Sequence, residues 1–174
     1  MKTIFYWSPC LTKVGTIKST INSAIALSKY CKEKYKVKII NTCGEWDDYS
    51  DIFKKHNIDL IEFKYKFFPF LPKNGFLKSR ISYLIIILFS FLPLYRLLKK
   101  DKPEFFIMHL LTSLPIILNN FFNFKTRFIL RISGFPKLNI LRKFLWNSSS
   151  KNLFKITCPT KDLLTQLKDK NIFD

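Results

Sequence analysis

The residues best suited to chemistry stand just after predicted strands. His109 closes an apolar run, where its ring either bonds a sugar hydroxyl or carboxylate or serves as a satisfied structural histidine. Arg131, Ser133 and Gly134 cluster at the end of another apolar run. A cation near the end of a buried strand is costly unless it is paired. Arg131 therefore needs either an acid within the fold (Glu45, Asp47 or Asp48) or the phosphate or carboxylate of a ligand. Gly134 lets a ligand approach the backbone closely. Residues 8–15 form a loop ahead of a helix, and the amides that open a helix attract anions. Gly15 and Thr16 lie there, and Lys13 adds a phosphate contact. The loop has neither a GxGxxG motif nor a P-loop, so on spacing alone it reads as an ordinary turn with Thr16 as the helix cap.

Other chemistries lack their parts. No Ser-His-Asp set assembles. Cys10, Cys31, Cys43 and Cys158 form no CxxC pair, and His56 and His109 stand far from them, so no metal is expected. Four unpaired thiols without a signal peptide read as reduced, buried fillers in a cytoplasmic chain. Glu45, Asp47 and Asp48 are acidic enough for base or metal work, but without partners they read as a solvated loop or as a salt bridge to Arg131.

These positions share one edge if the chain is an α/β sheet. Strands are expected over residues 3–7, 36–41, 59–63, 104–109, 126–132 and 153–157. Helices are expected over residues 16–32, 49–56, 77–100, 112–122, 138–149 and 160–170. That alternation predicts a mostly parallel sheet of about six strands with helices on both faces, a three-layer α/β/α sandwich. The strand cores are continuous apolar runs, as strands covered on both faces require. Right-handed crossovers bring the C-terminal strand ends to one edge, where open α/β sheets bind ligands.

Composition narrows the partners. The 174 residues are 48% hydrophobic and 17% aromatic, which excludes a disordered chain and suits one domain, residues 1–174. Thirty Lys and Arg against twelve Asp and Glu give +18, which favours anionic partners: membrane lipid, phosphates or nucleic acid. Of the basic residues 25 are Lys, as an AT-rich genome would supply, but that bias leaves the scarcity of acids unexplained. Residues 81–95 carry no charge and are flanked by Lys78, Arg80, Arg96, Lys99, Lys100 and Lys102. The run is short for a membrane span and contains Pro93. It reads as a helix partly buried in the fold, with membrane-surface contact through its basic-aromatic neighbours Lys64, Lys66, Phe67, Phe68 and Phe70. Nucleic acid ranks low, since no KH-type loop, RNP-like strand or Cys/His finger accompanies the basic residues.

Several stretches, in order, resemble the N-terminal, acceptor-binding half of GT-B-fold glycosyltransferases of the retaining family 4 type, found in bacterial surface-polysaccharide pathways. They are residues 8–16 (SPCLTKVGT), 41–46 (NTCGEW), 103–115 (PEFFIMHLLTSLP), 129–134 (ILRISG) with 136–139 (PKLN), and 157–160 (TCPT). The resemblance implies a Rossmann-like domain that holds the acceptor. It implies transfer of a sugar from a nucleotide-sugar to a lipid-linked or polysaccharide acceptor, with anomeric configuration retained and no metal cofactor. Lys13, Gly15 and Thr16 match the loop that approaches the donor phosphates and acceptor, and Ser133 and Gly134 complete the substrate-binding set. His109 matches a histidine closing the fourth strand, and Arg131 stands near where relatives place a catalytic-site histidine, which makes these two the catalytic candidates. The resemblance also implies a peripheral position on the inner face of the cytoplasmic membrane. No second domain with the family's acidic pair follows, so the chain alone is expected to be inactive, a truncated product ahead of a fragment or a split subunit. The alternative is a non-enzymatic, membrane-peripheral interaction module on the same fold.

Overall fold

β-Branched and aromatic residues crowd the short runs read as strands, and each run forms one. The computed structural model describes residues 1–11, 15–73, 75–109, 114–135 and 140–170. The elements are β1 (Lys2–Trp7), α1 (Gly15–Tyr30), β2 (Tyr35–Asn41), α2 (Ser50–Lys55), β3 (Asp59–Glu62), α3 (Phe76–Asp101) and β4 (Phe105–His109). They continue with α4 (Leu114–Phe122), β5 (Arg127–Arg131), α5 (Ile140–Ser150), β6 (Lys155–Thr157) and α6 (Lys161–Asp169). All six strands pair in parallel, in the order β3-β2-β1-β4-β5-β6. This is a Rossmann-like α/β fold.

The period-two geometry of a strand divides the core into two layers. Phe5 and Trp7 of β1 face one side with Phe106, Met108, Phe128 and Leu130. Residues from α3, α4, α5 and α6 cover that side, including Leu94, Leu118, Trp146 and Leu167. Ile4 and Tyr6 face the other side with Val37, Ile39 and Ile107, beneath Ile17, Ile21 and Ala24 of α1 and Phe53 of α2. Strands covered on both faces need no polar alternation, which is why their sequences read as unbroken apolar runs.

Two local expectations change. α1 begins at Gly15, so Thr16 is not its cap. Thr16 sits in the first turn, and its carbonyl accepts a hydrogen bond from Thr20 Oγ1 at 2.9 Å. Thr160, by contrast, caps α6: its hydroxyl accepts from the Leu163 amide at 3.2 Å.

α3 is partly buried, as its composition suggested, but much of its apolar surface lies outside while two serines lie inside. Ser82, Ile86, Ser90, Leu94 and Leu98, spaced by four residues, face the protein. Leu77, Ile81, Leu84, Leu88 and Leu92 are exposed on the outside. Inside, Ser82 gives its hydroxyl proton to the Pro72 carbonyl at 2.6 Å, tying the preceding basic-aromatic segment to the helix. By length and composition α3 is also apolar enough to cross a membrane.

Candidate functional site

The strand order reverses between β1 and β4, and the crevice beyond their C-terminal ends is where such sheets bind ligands. Ser8 follows β1, His109 ends β4 and Arg131 ends β5, with His109 and Arg131 in register on adjacent strands. α1 returns over this edge and contributes three side chains of its first turns, Thr16, Ser19 and Thr20.

His109 is 1% exposed. Its Nε2 lies 3.0 Å from Thr20 Oγ1. Thr20 gives its hydroxyl proton to the Thr16 carbonyl, so Nε2–H donates to Thr20 and Nδ1 keeps its lone pair. Ser8 Oγ stands 3.5 Å from Thr20 Oγ1 and 3.3 Å from Cys10 Sγ, which extends the buried polar chain to the end of β1. Burial first, and then the nearby Arg131 charge, push the His109 pKa down to about 4, so the ring is neutral at pH 7. Burial likewise pushes the Cys10 thiol up to about 11, which leaves it unreactive.

Arg131 donates from Nη2 to Ser19 Oγ at 2.8 Å. Its buried Nη1, like His109 Nδ1, has no hydrogen-bond partner among the described residues. An unmet buried donor costs about 1–3 kcal/mol, more when charged. Two of the three acids offered as partners from the sequence, Glu45 and Asp47, are engaged elsewhere. Glu45 is buried and accepts from the Thr42 and Cys43 amides at 3.0 and 2.8 Å. Asp47 pairs with Lys66 at 3.1 Å and accepts from Asn41 Nδ2 at 2.6 Å. The expected pairing of Arg131 with Glu45 or Asp47 is therefore replaced by the hydroxyl of Ser19. Burial raises the Glu45 pKa, while the two amides pull it down.

A recess of about 490 Å³ opens beside this arrangement, lined by Gly15, Thr16, Ser19, Arg131, Ser133 and Thr157 among others. Gly15, Thr16, Arg131 and Ser133 of the sequence-predicted set thus meet in one place. Gly134 is exposed next to it, with nothing within 4 Å of where its Cβ would stand. His109 lies beneath, behind Thr20, and Lys13 lies outside the described residues, as do residues 110–113 and 136–139 of the matching stretches. Ser19 and Thr20 were missed from sequence, whereas Ser8 lies in the stretch after the first strand already read as a candidate; the signal for the two was the hydroxyl at one-turn spacing after Thr16, on the helix face toward the strands. A second recess, about 430 Å³, lies among Lys29, Lys32, Lys36, Lys55 and His56 at the opposite edge, where α1 ends in carbonyls. Among the described residues no three His, Cys, Asp or Glu side chains gather to hold a metal ion. The four cysteines are free; Cys10 and Cys43 are buried, whereas Cys31 and Cys158 are partly exposed, contrary to the expectation of four buried thiols.

Comparison with solved structures places this architecture. A glycosyltransferase from Rickettsia africae superposes with a TM-score of 0.64 at 16% identity, over 99% of this chain and 40% of that one. UDP-GlcNAc 2-epimerase from Neisseria meningitidis, bound to UDP-GlcNAc, gives 0.60 at 15% identity, over 98% and 43%. The Streptomyces glycosyltransferase SsfS6 gives 0.52 at 9% identity, over 97% and 46%. The fold is glycosyltransferase-like. The chain spans less than half the length of each of these proteins. No protein-family model and no curated protein matches the sequence.

Proposed function

We propose that this chain is the acceptor-side half of a retaining glycosyltransferase that moves a sugar from a nucleotide-sugar to a lipid-linked or glycan acceptor in cell-surface glycan synthesis, without a metal cofactor. The observation that carries the reading is the 490 Å³ recess at the switch-point edge of a glycosyltransferase-like sheet, where Gly15, Thr16, Arg131 and Ser133 converge. Relatives in fold are named as complexes with UDP-GlcNAc and with thymidine diphosphate, which supports a nucleotide-sugar donor. On this reading the first turn of α1 and Ser133 contact substrate. His109, held neutral against Thr20, fixes that turn on β4, and Arg131 faces the reacting groups. The donor's nucleotide belongs to a second half, supplied on the same polypeptide or separately.

The same reading places the protein on the cytoplasmic face of a membrane. The outer face of α3 exposes Leu77, Ile81, Leu84, Leu88 and Leu92, and Phe70 in the preceding segment is 85% exposed. Lys73, Lys78, Arg80 and Lys99 flank this stripe, as an anionic bilayer surface requires.

The test is a transfer assay with a panel of nucleotide-sugars and a lipid-linked acceptor. We expect no transfer by this chain alone and transfer once the donor-binding half is supplied. A completed protein that neither binds nor hydrolyses any nucleotide-sugar overturns the proposal.

A further inference from the structure

We propose that the basic recess at the edge where the strands begin is a second site, one that takes a small molecule carrying two or more linked phosphates. Cations from three places in the fold converge on it: Lys29 and Lys32 from the end of α1 and the turn after it, Lys36 from β2, and Lys55 from the end of α2. Among the described residues no Asp or Glu lines it. Lys36 has a close acid, Asp59 at 2.7 Å. Lys32 reaches Glu33 only at 4.0 Å, with both side chains largely in water, where such a pair contributes little. Lys29 lies 5.1 Å over the Tyr30 ring, and neither it nor Lys55 forms a salt bridge among the described residues.

Lysines also gather at helix C-termini to meet the last carbonyls. Here the backbone meets several of them. The Leu27 carbonyl accepts from the Cys31 amide, and the Cys31 carbonyl accepts from the Lys34 and Tyr35 amides at 3.0 and 2.9 Å. At the end of α2 the Phe53 and Lys54 carbonyls accept from the His56, Ile58 and Asn57 amides. Ser28 gives its hydroxyl proton to the His56 carbonyl at 2.7 Å, which joins the two helix ends and fixes the walls of the recess. The ammonium groups thus share one concavity, and a bound anion relieves their mutual repulsion. Lysine meets phosphate as a point charge and needs no planar alignment. The volume, about 430 Å³, falls within the roughly 300–1,000 Å³ of small-molecule sites. A nucleic acid or a bilayer would call for cations spread along a stripe or a plane, whereas these converge on one hollow. This recess lies at the opposite ends of the strands from the switch-point recess, so its anion binding goes beyond the glycosyltransferase reading and does not depend on it. Two sources share the chemistry: a free inorganic oligophosphate, and the phosphate chain of a nucleotide.

The experiment is an amide NMR titration of this chain with sodium tripolyphosphate, with adenosine triphosphate, and with sulfate as a single-centre control anion, all at one ionic strength. We expect saturable shifts at Ser28, Lys36, His56 and Asn57 for at least one oligophosphate, and non-saturating ones for sulfate. Tighter binding of tripolyphosphate assigns the inorganic chain, tighter binding of adenosine triphosphate assigns a nucleotide, and equal binding assigns a site that reads phosphates alone. Lys29→Gln combined with Lys32→Gln and Lys55→Gln should weaken binding by about tenfold or more. Lys125→Gln combined with Lys151→Gln and Lys168→Gln removes the same charge from other exposed positions and should weaken it by less than about threefold. Equal weakening by the two triple variants, or saturable shifts confined to the start of α1 and Ser133, overturns the proposal. No saturable shift from either oligophosphate overturns it as well, and loss of anionic-vesicle or RNA binding in the first variant would then assign these lysines to a macromolecule instead.

Discussion

At the residue scale the site depends on one neutral histidine and one incompletely satisfied arginine. His109 holds its charge-free form because burial lowers its pKa from the ordinary 6.5 to about 4. The unfolded chain then binds a proton that the folded one refuses. The His109 contribution to stability is therefore complete above pH 6.5, declines as pH falls, and is lost below about pH 4. The loss amounts to about 3 kcal/mol. Glu45 works in the opposite sense, since its raised pKa makes the folded state bind its proton first. Denaturant unfolding of wild type and His109→Gln between pH 7 and 4 isolates the histidine. We expect the wild type to lose more stability over that interval than the variant. Thr20→Val leaves the His109 N–H buried without its acceptor, and a loss of about 1–3 kcal/mol should appear in the same assay. Arg131 was legible as a cation in want of a partner. Its partner was not, because Ser19 lies 112 positions away and only the packing of α1 on the sheet brings them together.

At the element scale α3 departs most from the habit of soluble helices. Its apolar run was plain from sequence, but which face turns inward was not. The leucines and isoleucines occur all around the helix, and the inward face includes two serines, Ser82 and Ser90. Periodicity alone would turn the more apolar face toward the core. Two substitutions separate the faces. Leu94→Ala, in the core layer, should cost about 2–5 kcal/mol in unfolding experiments. Leu84→Asp with Leu88→Asp, on the outer face, should change stability by less than about 1 kcal/mol and abolish flotation with anionic vesicles. Flotation of the wild type should weaken with salt, as screening of the flanking cations requires. Equal binding to neutral vesicles in high salt would count against an electrostatic component. The start of α1 shows the same division of legibility. Residues 8–11 do follow β1 outside any helix, residues 12–14 of the expected loop lie outside the described residues, and α1 starts one residue earlier than expected, which moves Thr16 from cap to first turn.

At the scale of the whole molecule, the strands, their order of occurrence and the shared edge all followed from alternation of apolar runs with helical stretches. The reversal between β1 and β4 followed only from the structure, and it is what selects one edge recess over the basic one at the other end of the strands. Sequence patterns carry strand identity best for the central strands β1 and β4, which are buried along most of their length, while the edge strands β3 and β6 are only partly buried. Such patterns carry strand order poorly because a long crossover such as α3 has the same appearance whether it ends beside β3 or beyond β1. The charge of +18 takes on locations at this scale: lysines and arginines border the α3 stripe, lysines gather at the opposite recess, and among the described residues lining the switch-point recess Arg131 is the one cation.

On the proposed function, sugar is handled in the recess under the first turn of α1. Photo-crosslinking tests it most directly, with a nucleotide-sugar carrying a diazirine on its sugar and the protein supplied with its donor-binding half. Labelled peptides should contain Gly15, Thr16, Ser19, Ser133 or Thr157, and the label should be lost in Arg131→Gln. Labelling confined to the opposite recess, at Lys29, Lys32 or Lys55, would contradict it.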